Sequence, residues 1–519
     1  MSATAQSKFA YAQMEASLLV KAEGVEQYRT QAVFIDLRNL PMPPTKFLLQ
    51  RDPLGKVTGS DKIDISITGD ILGLSIQNLE KLIKLPYASS ESSIALTASN
   101  VAILKYLTRT NKLIDSLKKR LINNTERGYQ RVLEYRHADA SFSKWGSAET
   151  NGSTWVTAHV AKALSAASVF TPTINNNVIR KAFRFLRSQR NADGSFQENE
   201  DTNRYGDLQR VSVTAVAALS FLQYNSTSAA GSEELDKTLR KAVNYLEDQL
   251  ELIQNDSYVL AMTAYALTKA NSPKKIDALS LLKKRMVHGQ SSIHWTVDET
   301  VKDGYQMAEN SYSTSSKDVE ATAYALLNFL ANKDLDTSMQ IVSWLISKQN
   351  AEGGFFSAPD TSVALEALAA SAKTLTSPPS LQGEVADGTD GMRKYKFTIT
   401  PESSLSVQDM IFAEKPDELS VHAEGSGVAV AYLSSTCHVL QPREKVSFDV
   451  NVTVKTFSLK KSRLDICVRY QKDGASGTTV AEVNTLNFPD TNLMKKKLKI
   501  CLVRLKDCGK PNVTERTPD

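Results

Sequence analysis

Two patterns of hydrophobic and polar positions alternate along the chain. In residues 1 to about 80, short apolar runs and period-two alternation, as in Ile63-Asp64-Ile65-Ser66-Ile67, predict β-strands. From about residue 85 to 378, apolar residues recur at helical spacing. Beyond residue 379 the period-two pattern returns, as in Tyr395-Lys396-Phe397-Thr398-Ile399. The chain is therefore predicted to be mainly α-helical, with β-rich segments before and after the helices.

The helical region contains two kinds of helix in alternation. The first kind is a repeated sequence motif. It begins with Ser, Thr or Asp, which is a helix N-cap signal, and continues as an Ala-rich run that is apolar on nearly all sides. It occurs at Thr154–Leu164, Ser212–Leu222, Ser257–Leu267, Asp318–Leu330 and Thr361–Ala370. Helices with a single apolar stripe lie between these copies, at Asn177–Gln189, Glu233–Leu250, Pro273–Val287 and Leu335–Lys348. This alternation predicts an α/α toroid, in which inner helices contact neighbours on all sides and outer helices on one.

A recurring turn supports the repeat independently. It occurs as Asp139-Ala140-Ser141-Phe142, as Asp193-Gly194-Ser195-Phe196 and as Glu352-Gly353-Gly354-Phe355. The last two copies have Gln189 and Gln349 upstream. A turn of one kind at this interval is typical of a repeat architecture.

The segment after the helices is predicted to be strands joined by short turns. Leu419–Ala423 and Val428–Tyr432 flank Gly425-Ser426-Gly427, which predicts a hairpin. No further strand is predicted beyond Phe488. The runs 494–499 and 504–510 are basic, and they fit either a docking patch or a solvated tail.

Composition narrows the classes of function. A chain of 519 residues is too long for one core, so several domains are expected. The net charge of +5 is modest and gives no argument for nucleic acid. No apolar window is long enough for a transmembrane segment, and residues 1–11 lack the apolar region of a secretory signal.

The cysteines and glycosylation sequons leave their roles open. The four cysteines all lie in the last 83 residues, where disulfides and free buried thiols are equally compatible with the sequence. Their spacing matches no zinc site, and no metal or other cofactor is expected. Possible N-glycosylation sites occur at Asn123, Asn151, Asn225, Asn255, Asn451 and Asn512.

Several of these motifs resemble one known family. Ser153–Ala158, Asp193–Glu198, Val319–Leu327 and Gly353-Gly354-Phe355 look like the thioester domain of the complement and alpha-2-macroglobulin superfamily. They occur in the family's order and at similar spacings, and the likeness covers roughly residues 20 to 485. The chain is similar to insect-like thioester-containing proteins, of which it would be a C-terminal portion or a truncated gene product. An intracellular protein is the alternative, because the family is secreted and no signal is visible here.

The resemblance implies a specific domain order. A toroid would be inserted into a β-sandwich CUB domain and followed by a partial macroglobulin-type β-sandwich. The implied segments are the end of a macroglobulin domain (1–30), the first CUB half (31–80), the toroid (81–378), the second CUB half (379–440) and a partial receptor-binding domain with a basic tail (441–519). The pairing of the cysteines is open, and a disulfide between Cys437 and Cys467 is favoured because they bracket two candidate neighbouring strands.

The family's reactive motif is altered in this chain. The family reads Gly-Cys-Gly-Glu-Gln, whereas the matching positions here are Ala88-Ser89-Ser90-Glu91-Ser92. A thioester needs a thiol and an amide-derived acyl carbon, and a pair of serines supplies neither. The loop is therefore interpreted as a degenerate thioester site. Serines with a Glu in the first turn are also good helix-capping residues, and the two interpretations are compatible.

A second family feature is also missing. Some relatives place a reactive His after a turn matching Asp193-Gly194-Ser195-Phe196. The residues that follow here, as far as Gly206, include Arg204 and Tyr205 but no His. The two losses together predict that the chain makes no covalent attachment.

The resemblance implies a secreted, complement-like innate-immunity protein that binds microbial surfaces or protein partners non-covalently. The family label of peptidase inhibitor fits the family more than this chain, which has no bait region. A cell-junction or adhesion component, related to thioester-lacking members, is the alternative.

A toroid enzyme is the remote third possibility. The sequence shows no Asp-rich cyclase motif and no helix with two histidines at metal-binding spacing, so no enzyme is expected. His159, Glu320 and Glu366 lie on apolar helices and are interpreted as structural, with Trp155 as a core anchor.

Overall fold

The computed structural model of the chain covers the helical region and the main strands. The described residues are 2–6, 11–15, 22–38, 45–48, 56–79, 82, 89–146, 149–198, 208–227, 233–289, 291–297, 316–372, 378–387, 393–412, 418–440, 448–457, 462–470, 479–483 and 498–502.

Sixteen strands and thirteen helices are formed within these residues. The strands are β1 (Ser2–Gln6), β2 (Tyr11–Glu15), β3 (Val25–Asp36), β4 (Thr45–Leu48), β5 (Lys62–Thr68), β6 (Val287–His288), β7 (Ile293–His294), β8 (Ser380–Asp387), β9 (Arg393–Ile399), β10 (Gln408–Phe412), β11 (Glu418–Ser426), β12 (Val428–Val439), β13 (Phe448–Phe457), β14 (Ser462–Tyr470), β15 (Thr479–Val483) and β16 (Leu498–Leu502). The helices are α1 (Gly73–Gln77), α2 (Ser90–Arg109), α3 (Asp115–Leu133), α4 (Thr154–Ala167), α5 (Asn176–Ser188), α6 (Gln209–Thr227), α7 (Glu233–Asp248), α8 (Leu250–Ile253), α9 (Ser257–Lys269), α10 (Lys275–Lys284), α11 (Ser316–Ala331), α12 (Leu335–Ser347) and α13 (Ala358–Ala372).

Six helices form a closed inner ring. Helices α2, α4, α6, α9, α11 and α13 each pack on the next, and α13 packs back on α2. Their alanines allow this close approach, and most of their side chains are fully buried. Helices α3, α5, α7, α10 and α12 each pack outside the inner helix that precedes them. The predicted alternation of fully buried and one-sided helices is therefore confirmed.

Two four-stranded antiparallel sheets lie beside the ring. Their strand orders are β10-β5-β12-β3 and β4-β11-β8-β9, and they share one apolar core that includes Ile65, Phe397, Leu419 and Leu433. Each sheet contains strands from both sides of the helical region. The helices are thus an insertion into a two-sheet body.

Strand β12 is buried on both faces. Val430 and Tyr432 belong to the core of the helical ring, whereas Ala431 and Leu433 belong to the core between the sheets. Successive side chains of a strand point to opposite faces, so a strand between two cores must be apolar throughout. This explains the uninterrupted apolar run at the start of β12.

The predicted hairpin at Gly425-Ser426-Gly427 is wrong. Strand β11 pairs with β4 and β8, whereas β12 pairs with β3 and β5, so the two strands lie in different sheets. Gly425 and Gly427 have φ angles of 119° and 117°, and a Cβ on Gly425 would lie 2.2 Å from the Ser380 carbonyl oxygen. The glycines allow the chain to cross between the sheets, a role that sequence pattern alone does not separate from a hairpin turn.

The two ends of the chain also depart from the predictions. The expected boundary between residues 30 and 31 falls inside β3, and the apolar run 16–21 lies outside the described residues. Strand β16 lies beyond Phe488 and pairs with β15, so the prediction of no further strand is wrong. The alternation around Lys499, with Leu498 and Ile500 beside it, is strand-like, but the surrounding lysines hide it.

Candidate functional site

Residues 89–92, four of the five positions predicted to form a degenerate thioester site, lie at the start of inner helix α2. Ser89 has an extended backbone and is the N-cap, with its hydroxyl accepting a hydrogen bond from the Ser92 amide at 3.3 Å. The hydroxyl oxygens of Ser89 and Ser92 lie 3.3 Å apart. Glu91 stands in the first helical turn, where the helix dipole favours negative charge. The predicted capping role of Ser89 is confirmed.

A neighbouring loop holds this turn in place. The Ser90 amide donates to the Lys144 carbonyl at 3.0 Å, and the Ser90 hydroxyl donates to the Ser143 carbonyl at 2.7 Å. The Lys144 ammonium lies 3.6 Å from the Glu91 carboxylate. Ser89 and Ser90 are both buried. The turn is therefore fixed by packing and hydrogen bonds, as a structural element would be.

One histidine lies behind this loop. The His137 Nε2 atom and the Ser143 hydroxyl are 2.7 Å apart, but Ser143 is fully buried and its hydroxyl also reaches the Gly146 carbonyl. In the described structure, the Ser89 hydroxyl contacts only the amide and hydroxyl of Ser92. The described hydrogen bonds of the Ser89 hydroxyl are those of a helix cap.

The recurring turns bind the inner helices by a contact that sequence reasoning missed. The amides of Phe142 and Phe196 donate to the hydroxyls of Thr157 and Thr214, each at 2.9 Å. The same bond joins the amide of Phe355 to Thr361 at 2.9 Å, and that of Trp295 to Thr322 at 3.1 Å. The donor and the acceptor are separated by between 6 and 27 residues along the chain. The sequence therefore has no fixed spacing from which this hydrogen bond could be predicted.

Polar residues on the apolar helices have structural partners. Glu366 on α13 forms an ion pair with Lys162 on α4 at 2.9 Å, and the Tyr258 hydroxyl donates to Glu320 at 3.0 Å. His159 packs edge-on against the buried Trp155, with ring centroids 4.9 Å apart. These contacts confirm the structural interpretation of these residues. The lysine was missed, although a Lys within an otherwise apolar helix was a usable signal.

A carboxylate caps the N-terminus of inner helix α4. Glu198 accepts hydrogen bonds from the amides of Thr154 and Trp155, at 2.9 and 2.8 Å. This role was not predicted, because the Glu lies more than 40 residues after the helix it caps.

Some predicted positions lie outside the described residues or are not tested by them. Ala88, Arg204, Tyr205 and Asn512 lie outside. The backbone of Cys467 lies on β14 and Cys437 lies on β12 opposite Gln27, but the Cys467 side chain is outside the described part, so the disulfide stays a prediction.

The sequons differ in their surroundings. Asn151 and Asn255 are exposed and lie outside the helices, and Asn451 is exposed on β13. Asn123 lies within α3, and the Asn225 amide nitrogen donates to Asp236 at 2.8 Å.

Within the described structure, no group of three or more His, Cys, Asp or Glu side chains could hold a metal ion. No described helix is both long enough and apolar enough to cross a membrane.

Comparison with known proteins places these features in a family. The profile of the A-macroglobulin TED domain, the thioester domain, matches residues 65–371, which is more than half of the chain. Ovostatin of Gallus gallus is 28% identical over 463 residues, covering 86% of this chain and 30% of that protein. Alpha-2-macroglobulin-like protein 1 of Mus musculus is 29% identical over 449 residues, covering 84% of this chain and 30% of that protein.

The chain spans about a third of the length of these relatives. The matched region begins in β5 and ends in α13, so it contains the whole inner ring and the Ser89 turn. The chain therefore belongs to the alpha-2-macroglobulin and complement family, and its helical ring is the TED domain of that family.

Proposed function

We propose that this chain is part of a secreted alpha-2-macroglobulin-family protein that lacks an internal thioester. It acts by non-covalent binding to protein partners or microbial surfaces, in a complement-like role in innate immunity. The observation that carries the proposal is the pair Ser89 and Ser92, which by the resemblance of the surrounding sequence correspond to the family's reactive Cys and Gln. Neither side chain can give a thioester, and Ser89 is occupied as a helix cap.

The fold supports a matching domain assignment. The inner and outer helices would be the α/α toroid, and the two sheets that receive it would be the CUB domain. Strands β1 and β2 would end a preceding macroglobulin domain, and β13 to β16 would belong to the receptor-binding domain. The insertion of the ring between β5 and β8 is the observation that favours this order.

The proposal excludes catalysis as the mode of action. Glu366 and Glu320 are held in structural contacts, and the His137 ring contacts a buried serine. A binding protein needs a stable surface more than reactive groups, and the fixed Ser89 turn fits that need. Fold alone would not decide this, because toroids host many functions.

The test is reaction with methylamine, read by intact mass. A live thioester would take up the amine and release a thiol, so the expected result is an unchanged mass and no new thiol. A relative that retains the Cys and Gln motif serves as the positive control under the same conditions. A stoichiometric adduct mapped to the 89–92 turn would overturn the proposal.

An extracellular origin can be tested separately through glycosylation. We expect glycans at Asn151 and Asn255, which are exposed and lie outside the helices. Asn123 lies within a helix and its sequon threonine, Thr125, is fully buried, so it should stay unmodified. Peptide mass spectrometry of protein secreted from eukaryotic cells distinguishes these sites, and occupancy at Asn123 alone would contradict the expectation.

A further inference from the structure

A group of charged side chains converges inside the helical ring. Lys162 on α4 and Glu366 on α13 form an ion pair, although α2 stands between these two helices in the ring. Lys105 on α2 interacts electrostatically with both of them and with Lys269 on α9, across the ring. Side chains from four inner helices therefore act on one another electrostatically, and the pair of Lys162 and Glu366 is in direct contact.

The charges in this group do not balance. Three cations, Lys162, Lys269 and Arg109, act on Lys105, whereas Glu366 is the one carboxylate among the groups that act on it. We call these five residues the axial cluster. Arg109 lies one turn beyond Lys105 on the same helix face. Four positive side chains around one carboxylate leave an excess of positive charge.

The central cation of the cluster is poorly compensated. Among the described residues, the half-buried Lys105 ammonium makes no hydrogen bond and no ion pair, while Lys162 has Glu366 at 2.9 Å. Burial, together with repulsion from Lys162, Arg109 and Lys269, lowers the pKa of Lys105 against the attraction of Glu366. Burial raises the pKa of the Glu366 carboxyl, but the positive charges of Lys162 and Lys105 outweigh this effect and hold that pKa below its usual value.

The cluster is open to solvent and lies far from the Ser89 turn. The side chains of Lys162 and Glu366 are 17% and 32% exposed, and Lys269 and Arg109 are exposed at the ends of their helices. Lys105 lies 15 residues after Ser90 on α2, so the two places are separated by about 22 Å along the helix. An ion can therefore reach the cluster from the end of the ring opposite to the turn.

We propose that the axial cluster is a binding site for a tetrahedral oxyanion, either inorganic phosphate or sulfate or the corresponding ester group of a glycan. Such an anion would accept charge-assisted hydrogen bonds from Lys105 and from the neighbouring cations. The carboxylate of Glu366 holds Lys162 in position and limits the affinity by repelling the anion.

The alternative to an anion-binding site is that these cations only complement the negative ends of the helix dipoles. Helix C-termini favour positive side chains, and Lys105, Arg109 and Lys269 all lie near such ends. That role predicts no preference for a divalent oxyanion over chloride at equal ionic strength, so the two explanations can be separated by experiment.

The first experiment titrates the full chain with sodium phosphate, sodium sulfate and a sulfated disaccharide, by calorimetry and thermal unfolding. Sodium chloride at matched ionic strength is the reference. We expect at least one oxyanion to bind saturably and to raise the melting temperature above the chloride value. Binding of the inorganic ions identifies a free anion as the ligand, and binding of the disaccharide alone identifies a glycan ester. Equal effects of all salts would overturn the proposal.

Variants locate the binding. Lys105→Met keeps the length of the side chain and should weaken oxyanion affinity by about tenfold or more. Lys394→Met, which removes an exposed lysine paired with Glu384 on the sheets, is the matched control and should leave the affinity unchanged.

A second variant is expected to change the oxyanion affinity in the opposite direction. Glu366→Gln removes the competing carboxylate, so its oxyanion affinity should rise, and phosphate should restore stability that it loses in chloride. Unchanged affinity in Lys105→Met, or weaker affinity in Glu366→Gln, would refute the site even if one of the two variants folded poorly.

Discussion

At the scale of single residues, the Ser89 turn is a capping site at the start of an inner helix. The Ser89 hydroxyl accepts a hydrogen bond from the Ser92 amide, which lies in the first turn of α2. Such amides have no partner within the helix, so a serine at this place stabilises the start of the helix. The sequence was sufficient to predict this capping role, and the degenerate thioester stays part of the proposed function.

We expect Ser89→Ala to lower the free energy of unfolding by about 1 kcal/mol, because the Ser92 amide loses its acceptor. Ser89→Asp should retain most of the stability, since a carboxylate also caps a helix N-terminus. Urea unfolding of the three proteins measures this. The exposed Ser226→Ala is the control, and a loss in Ser89→Ala no larger than in this control would argue against the cap.

The half-buried His294 leads to a prediction about the pH dependence of stability. His294 stacks on Trp344 with ring centroids 4.7 Å apart and planes at 4°. Burial, reinforced by the Lys348 ammonium and opposed by Asp318, lowers the pKa of His294 from its ordinary value of 6.5. The unfolded chain then binds more protons than the folded protein below that value, so stability falls as the pH falls.

We expect the free energy of unfolding to be level above about pH 7.5 and to decline as the pH is lowered through about 6.5 and on through the depressed pKa of His294. His294→Phe keeps an aromatic ring on Trp344 and should remove part of this decline. His288→Gln, on the exposed strand of the same small hairpin, should leave it in place. Identical pH profiles of wild type and His294→Phe would contradict the argument.

At the scale of elements, the ring is built from a repeated bond between a turn and an inner helix. Each turn buries an aromatic side chain, and its backbone amide then needs an acceptor within the core. Threonines 157, 214, 322 and 361 provide it. The bond is shared by four of the six inner helices, so it tests the repeat directly.

Replacing such a threonine with valine should cost about 2 kcal/mol, because a buried amide is left without an acceptor. Thr157→Val and Thr214→Val are the test variants. Thr263→Val is the control, because the buried Thr263 hydroxyl on α9 has no partner in the described structure and its loss should be neutral or stabilising. Equal costs in all three would mean that side-chain shape, and not the hydrogen bond, sets the effect.

The elements also show where sequence reasoning succeeds and where it stops. Helices with strong periodicity, such as α5 and α12, were predicted to within two residues because burial and polarity alternate strongly along them. The pairing partners of β11 and β12 were not predicted correctly, because strand pairing depends on contacts between residues that are far apart in the sequence. The axial cluster was missed for the same reason, since its charges come from four separate helices.

At the scale of the whole molecule, a few buried polar contacts join the ring to the two sheets. Asp70, which follows β5, accepts hydrogen bonds from the Tyr106 hydroxyl and from Lys112, the latter at 2.8 Å. The Tyr432 hydroxyl on β12 donates to Gln349 at 2.7 Å. Apolar packing between the ring and the sheets does not by itself select one relative position, whereas these directional hydrogen bonds do.

Breaking these bonds should separate the unfolding of the ring from that of the sheets. Asp70→Ala should cost about 3 kcal/mol, because the Tyr106 hydroxyl and the Lys112 ammonium lose their buried acceptor. Tyr432→Phe should cost about 1 kcal/mol. Asp36→Ala, which removes a partly exposed ion pair with Arg38 inside the sheets, should cost less than either.

Calorimetry then distinguishes two pictures of the molecule. If the contacts couple the two bodies, the double variant Asp70→Ala/Tyr432→Phe should show two transitions where the wild type shows one, while Asp36→Ala keeps one. The reason is that the double variant keeps the apolar contacts of β12 with both cores but loses polar bonds that fix the ring against the sheets. A single transition in the double variant would mean that the shared apolar face of β12 is sufficient for coupling and that the polar contacts add only stability.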